Sequence, residues 1–129
     1  STSQSAGKSG TIWTFNGKVA YGATAQSIAD PGASGAIPVL SNGVCNLTSA
    51  GAETRTLAIP TFVGQLLTIC LDTDGGDCVV TVASSVNQTG NNTITFNDAG
   101  DTVTLVGRTV GGTHKWVLLS NDGASLSTV

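Results

Sequence analysis

Short runs of β-branched and apolar residues, each ended by a polar turn, constrain the fold of this chain more than any other feature. In the second half these runs begin near Thr54, Gln65, Cys78, Thr93 and Thr102. Their spacing is close to the eight to twelve residues typical of sandwiches and small barrels. Thr and Val suit a pleated surface, and the chain has no Met and few Glu, Lys or Arg to favour a helix. The pattern predicts an all-β fold, a small antiparallel β-sandwich or barrel-like meander with little or no helix.

The length of 129 residues is close to the commonest domain size. Residues 1–10 contain only Ser, Thr, Gln, Gly, Ala and one Lys. This composition cannot order itself by burial, so we expect a flexible, extended N-terminal arm there. We expect residues 11–129 to form a single β domain, with an extended, loop-rich part over 11–50 and a β-meander over 51–123.

The loop-rich part carries two local signals. Asn16-Gly17 is a strong turn signal after the alternating residues 11–15 and predicts a short hairpin. Residues 22–43 contain two prolines and several glycines without a sustained period, so we expect them to lie extended on another surface. Because Pro38 cannot donate to a central ladder, residues 36–40 are expected at a sheet edge.

The meander is expected to contain three hairpins. The first pairs 65–71 with 78–83, the second pairs 93–96 with 102–106, and the third turns at Gly111-Gly112. Alternation along these strands assigns twelve side chains to the interior. They are Leu57, Ile59, Leu67, Ile69, Val80, Val82, Ile94, Phe96, Val103, Leu105, Val117 and Leu119.

Low charge limits the partners of the chain. Only 10% of the residues are charged and the net charge is −3, whereas about 25% is usual. A surface of hydroxyls and amides lacks the repulsion that keeps monomers apart, so it tolerates close neighbours. The five Lys and Arg form no stripe, and we expect no nucleic acid partner. No apolar run approaches the ~20 residues that span a bilayer, and we expect no membrane partner.

No catalytic, cofactor-binding or metal site is predicted. Asp72, Asp74 and Asp77 could offer clustered oxygen ligands to Ca²⁺, but their segment lacks the later Glu and the helices of an EF-hand, so a solvated turn is the favoured interpretation. Asp98 and Asp101 at the next turn are interpreted in the same way. His114 is the single histidine, and no nucleophile or second base stands near it in a triad-like pattern. We therefore expect a protein that is not an enzyme and that needs no cofactor.

The three cysteines and the largest aromatic residues leave alternatives open. Cys70 and Cys78 could form a disulfide across the first hairpin, or both could be buried thiols like Cys45. An odd number of cysteines favours assembly in a reducing cytoplasm. Trp13, Tyr21 and Trp116 could stack on sugars or anchor an interface, although core packing is the commoner fate.

Three stretches of the chain resemble small structural proteins of tailed bacteriophages. They are Gly51–Leu57, Asp72–Asp77 and Asn91–Asp101, and the resemblance covers roughly residues 51–123. Such proteins include capsid decoration, or cement, proteins. No diagnostic motif accompanies the resemblance, so it assigns no site residues.

The resemblance implies a non-enzymatic virion structural protein that binds the outer capsid surface and stabilises the shell. Its partner would be the major capsid protein, and it would assemble in the host cytoplasm as a homotrimer, since threefold positions of a shell favour that symmetry. The alternative is a β domain of a phage tail fibre or baseplate, or a carbohydrate-binding module, that contacts a host receptor.

Overall fold

The computed structural model describes residues 27–129, which form two five-stranded β-sheets around a common core. Strands and their connections account for this range, and no helix occurs in it. The predicted all-β fold with the form of a small sandwich is therefore confirmed. The expected arm over 1–10, the hairpin at Asn16-Gly17, and both Trp13 and Tyr21 lie outside the described residues.

Ten strands are present between residues 27 and 129. They are β1 (Ser27–Ile28), β2 (Gly35–Ile37), β3 (Gly43–Ser49), β4 (Glu53–Leu57), β5 (Leu66–Asp74), β6 (Cys78–Val82), β7 (Thr93–Phe96), β8 (Thr102–Val110), β9 (Thr113–Asp122) and β10 (Ser125–Ser127). The first sheet has the order β1-β3-β5-β8-β9, and the second has the order β10-β7-β6-β4-β2.

The first six strands wind around the core as three stacked coils. Each coil has one strand in each sheet, so the coils are β1 with β2, β3 with β4, and β5 with β6. Strands of successive coils pair in parallel in both sheets. The last four strands then add antiparallel pairs, with β8 and β9 completing the first sheet and β7 and β10 completing the second.

Glycine allows the coils to stack closely at one corner. Gly75 and Gly76 lie between β5 and β6, against residues 49–52 of the preceding coil. The amide of Gly75 donates to the carbonyl of Ser49 at 2.8 Å, and the Ser49 hydroxyl donates to the carbonyl of Gly76 at 2.5 Å. A Cβ on either glycine would clash with backbone atoms of that coil, so side chains are excluded here.

This winding corrects the predicted antiparallel meander over 51–123. The two hairpins expected around 72–77 and 97–101 do not form, because the strands on either side of each turn belong to different sheets. Two strands paired in one hairpin and two strands packed face to face from different sheets show the same alternation of buried and exposed residues. The sequence pattern therefore cannot distinguish a hairpin from a connection between the two sheets. The third hairpin, β8 with β9, does form, and Gly111 and Gly112 have φ of 57° and 80° at its turn.

The loop-rich interpretation of 11–50 is also wrong for its last part. Strand β3 has seven residues, and Cys45, Leu47 and Ser49 alternate inward along it. The alternation is hard to recognise in the sequence because several residues of β3 are small or polar. Strand β2 ends just before Pro38 and lies at the edge of the second sheet, as predicted for that segment.

Nine of the twelve predicted interior side chains are buried, and three are not. The buried ones are Leu57, Leu67, Ile69, Val80, Val82, Ile94, Phe96, Val103 and Leu105. Ile59 follows β4 and is 39% exposed, Leu119 is 58% exposed, and Val117 is only partly buried. On β9 the inward residue is Trp116, whose indole Nε1 donates to the carbonyl of Ala58 at 2.8 Å. An irregularity opposite Thr104 and Leu105 leaves Leu119 as an extra residue outside the pairing.

Candidate interaction surfaces

The carboxylates that could have formed a metal site are on two neighbouring turns, 72–77 and 97–101, which hydrogen bonds join. Asp72 and Asp74 are exposed at the end of β5, and Asp77 accepts a hydrogen bond from the Asn97 side chain at 3.2 Å. Asp101 accepts hydrogen bonds from the amides of Asn97 and Asp98 at 2.8 and 3.0 Å, which shapes its turn. Between residues 27 and 129, no three His, Cys, Asp or Glu side chains come together in a way that could hold a metal ion.

The three cysteines form no disulfide. Cys70 is on the first sheet and partly exposed, whereas Cys78 is buried on the second sheet, so the disulfide considered between them does not form. All three are free thiols. Burial raises the pKa of the Cys45 thiol to about 11 and also raises the pKa of Cys78. Because the thiolate is the reactive form, neither buried cysteine is suited to nucleophilic chemistry.

Two charged residues between 27 and 129 are buried, Asp101 and Arg55, and Arg55 on β4 is the one with no exposed surface. Its guanidinium donates to Asp30 at 2.8 and 3.2 Å, to Glu53 at 2.9 Å, and to the carbonyls of Thr48 and Thr54 at 3.1 and 3.0 Å. All five N–H groups therefore have an acceptor. Asp30 also accepts from the amides of Gly32 and Thr48, so this cluster ties the first coil to the second.

The charge states of this cluster follow from its contacts. Partial burial works against ionisation of Asp30, but hydrogen bonds from Arg55, Thr48 and Gly32 outweigh it and lower the pKa of the carboxyl. The hydrogen bond from the Ala50 amide, together with that from Arg55, lowers the pKa of Glu53. The pKa of Arg55 is raised, chiefly by its hydrogen bond to Asp30. The cluster is thus ionised, with the charge of Arg55 compensated by the two carboxylates, and its role is structural.

The outer face of the first sheet carries an exposed apolar strip. Leu66, Val106 and Val117 are in register across β5, β8 and β9. Val44 and Leu119 lie beside them, and Leu66, Val44 and Leu119 are 46%, 43% and 58% exposed. Thr68 and Thr104 continue the face without charge and share a hydrogen bond at 3.1 Å. We refer to Val44, Leu66, Val106, Val117 and Leu119 as the apolar strip.

The outer face of the second sheet has a different chemistry. Its outward positions are occupied by small uncharged side chains from all five strands: Ala36, Thr54, Thr56, Val79, Thr81, Thr95, Ser125 and Ser127. Ala36, Thr56 and Thr81 are in register across β2, β4 and β6. They line a shallow groove of about 280 Å³ that contains no charged group. This face therefore lacks the large apolar side chains that mark the first.

A second pocket, of about 300 Å³, lies between the β8–β9 hairpin and the loop after β6. Its lining includes Ser85, Gln88, Arg108, Val110, Lys115 and Val117. Arg108 and Lys115 are direct partners across the hairpin. His114, which precedes Lys115, has its Nδ1 3.2 Å from the Thr109 hydroxyl across the same hairpin. We refer to this site as the basic pocket.

The sequence analysis predicted neither the apolar strip nor the basic pocket, although the sequence does contain a signal for the basic pocket. Arg108 and Lys115 are equally distant from the Gly111-Gly112 turn, so the predicted hairpin already places them opposite each other. The apolar strip had no such signal, because it depends on β5 pairing with β8 and not with β6. The sequence left open whether Trp116 packs in the core or lies at an interface, and the structure places it fully buried in the core.

Comparisons with known proteins add no assignment to this geometry. Neither the protein-family models nor the curated proteins that were searched give a match to the chain. Within 27–129, no helix has the length and apolar character to cross a membrane.

Proposed function

We propose that this protein is a non-enzymatic structural subunit of a virion, a decoration or cement protein on the outer surface of a bacteriophage capsid. The observation that carries the proposal is the apolar strip on the outer face of the first sheet. Exposed contiguous apolar side chains mark sites of protein contact. A surface with little charge also offers little repulsion between neighbours packed on a lattice.

The strip is proposed as the contact between copies of the chain in a homotrimer. Its central members are in register across three strands, so they form a continuous apolar surface that a neighbouring copy can cover. Cyclic trimers match the threefold positions of an icosahedral shell. Three linked attachment points then bind the major capsid protein far more tightly than one, because the later contacts form at high effective concentration.

The test replaces Leu66 by Lys in the middle of the strip. Leu66 is 46% exposed, so Leu66→Lys is expected to fold, to sediment as a monomer in analytical ultracentrifugation and to lose most of its co-sedimentation with expanded empty capsids. Thr56→Lys is the matched control on the outer face of the second sheet, and it should remain trimeric and attached. A trimeric Leu66→Lys protein would contradict the proposed interface.

Cys70 provides a native reporter for the same face. It lies on β5 between the apolar strip and the Gly75-Gly76 corner, and it faces outward like Leu66 and Thr68. Maleimide should label this thiol in monomeric Leu66→Lys and much more slowly in the wild-type trimer, with Cys70→Ser as the blank. If wild-type protein pellets with host cells and not with capsids, the receptor-binding alternative replaces the shell assignment.

A further inference from the structure

The basic pocket collects the free positive charge of the described part of the chain. Residues 27–129 contain three Lys and Arg residues, and Arg55 is neutralised inside the core. The other two, Arg108 and Lys115, line the same pocket, and neither forms an ion pair with a described residue. Two unpaired cations at one site are unusual in a chain with a net charge of −3.

Their position makes them repel each other. Arg108 and Lys115 are direct partners on antiparallel strands, where side chains start about 4.5 to 5.5 Å apart and like charges are destabilising. The two residues flank the buried pair of Gly107 and Trp116, which fixes that part of the hairpin. An anion placed between the cations removes the repulsion and can accept hydrogen bonds from both, which gives the pocket a preference for a carboxylate or a similar group.

The opposite wall of the pocket is held in place by hydrogen bonds within its own loop and to β9. The Asn87 side chain accepts from the amides of Gly90 and Asn91 at 3.0 and 2.9 Å and donates to the Asn91 side chain at 2.9 Å. The loop is joined to β9 by a hydrogen bond of 2.8 Å from the amide of Leu118 to the carbonyl of Val86. Binding therefore requires little ordering of this wall, which favours affinity.

We propose that the basic pocket binds an acidic sugar residue through its carboxylate. The hydroxyl of Ser85 and the amide of Gln88 line the pocket and suit sugar hydroxyls, while Val110 provides apolar wall for the C–H groups of a sugar ring. The volume of about 300 Å³ lies at the small end of ligand pockets and suits a single ring. Sugar recognition is one of the two functions left open by the sequence, and this inference does not depend on attachment to a shell.

A concave site favours a sugar over an acidic peptide. The loop 85–88 rises beside the hairpin and encloses the cations on one side, whereas an extended peptide needs an open groove or an unpaired strand edge. The edge of β9 is already engaged at this point by the carbonyl of Val86. An acidic segment of a partner is therefore treated as the competing outcome.

The experiment titrates the full chain with methyl β-glucuronide and with its neutral counterpart, methyl β-glucoside, while amide chemical shifts are followed by NMR. The glucuronide is expected to shift residues 85–88 and 108–117, and the glucoside is expected to bind at least roughly tenfold more weakly, since a charge-assisted hydrogen bond is lost. Arg108→Gln and Lys115→Gln should each weaken glucuronide binding by a similar factor. The Arg108→Lys, Lys115→Arg double variant keeps both charges and should retain most of it.

Three results would overturn the proposal. The first is equal binding of both glycosides, and the second is unchanged glucuronide binding by the two Gln variants. The third is tighter binding of inorganic phosphate or of a short Glu-rich peptide than of the glucuronide, which would make the pocket a general anion or peptide site. The melting temperature of each Gln variant without ligand checks that the hairpin is intact, and it should equal or exceed that of the wild type.

Discussion

At the scale of single residues, Arg55 has the most demanding environment in the described chain. It is fully buried, yet every donor of its guanidinium meets a carboxylate or a carbonyl. The planar fork of Arg reaches acceptors on β3, on β4 and on the segment after β1 at the same time, which the single ammonium of Lys cannot do. Alternation along β4 does place position 55 on the face of Leu57, but residue type alone argues against an interior charge.

Loss of this guanidinium is expected to destabilise the fold strongly. Arg55→Met leaves the Asp30 carboxylate partly buried without its partner, and breaking a buried pair in this way typically costs about 3 to 5 kcal/mol. Urea unfolding followed by tryptophan fluorescence measures the change. The triple variant Asp30→Asn, Glu53→Gln, Arg55→Met removes the unpaired charges as well and should recover a large part of the loss. An Arg55→Met protein whose free energy of unfolding is within about 1 kcal/mol of the wild type would contradict this role.

The same cluster predicts the response to acid. The pKa values of Asp30 and Glu53 are lower in the folded chain than their ordinary values near 4. The unfolded chain therefore binds protons first, so this stabilisation is complete above about pH 5 and is lost as the pH falls through the lowered values. Urea midpoints should therefore fall as the pH is lowered below about 4. Asp30→Asn should flatten that dependence, and an unchanged slope would show that other carboxylates dominate.

At the scale of elements, the corners decide how closely the coils stack. The Gly75-Gly76 corner rests directly on residues 49–52, and hydrogen bonds between Ser49 and both glycines join the two coils there. Gly51, on the other side of this contact, has open space where a Cβ would be. The corner is thus asymmetric: positions 75 and 76 of one coil exclude a side chain, whereas position 51 of the other coil has room for one.

This asymmetry gives a matched pair of substitutions. Gly75→Ala places a methyl group against the backbone of Ser49 and Ala50, and such overpacking is expected to cost about 1 to 3 kcal/mol. Gly51→Ala meets no atom within 4 Å and has no left-handed φ, so its effect should be within about 0.5 kcal/mol. Thermal and urea unfolding of the two variants measure the difference. Equal stability of both would show that the coils can separate at this corner without cost.

At the scale of the whole molecule, the sequence predicts what is buried far better than what pairs with what. Val80, Val82, Ile94 and Phe96 were assigned to the interior correctly from alternation, and the β8–β9 turn was correct because glycines at φ > 0 mark it locally. The partition of strands between two sheets was not predictable in this way, since it is set by contacts between distant coils. The apolar strip and the Arg55 cluster both depend on that partition, whereas the Arg108 and Lys115 pair depends only on the local hairpin.

The distant pairing also predicts slow folding. Strands that pair in parallel must first bring together residues far apart in sequence, such as Leu57 and Val82, and the closing of such loops precedes the gain from contacts. We expect refolding from urea on the scale of milliseconds to seconds, as for other β folds of this kind. Stopped-flow fluorescence measures the rate, with Gly51→Ala as a variant that should leave it unchanged. Refolding within microseconds would contradict the expectation.

Partners in neighbouring coils are 17 to 25 residues apart, as Ile28 with Cys45 and Leu57 with Val82 show. Each coil contacts mainly the coil before and the coil after it, so stability in this part of the molecule is close to a sum of nearest-neighbour contributions. A duplication of one such segment therefore adds height to the molecule and leaves the existing layers in place. In this architecture, duplication of a gene segment can therefore lengthen the molecule by whole coils, and the existing core needs no redesign.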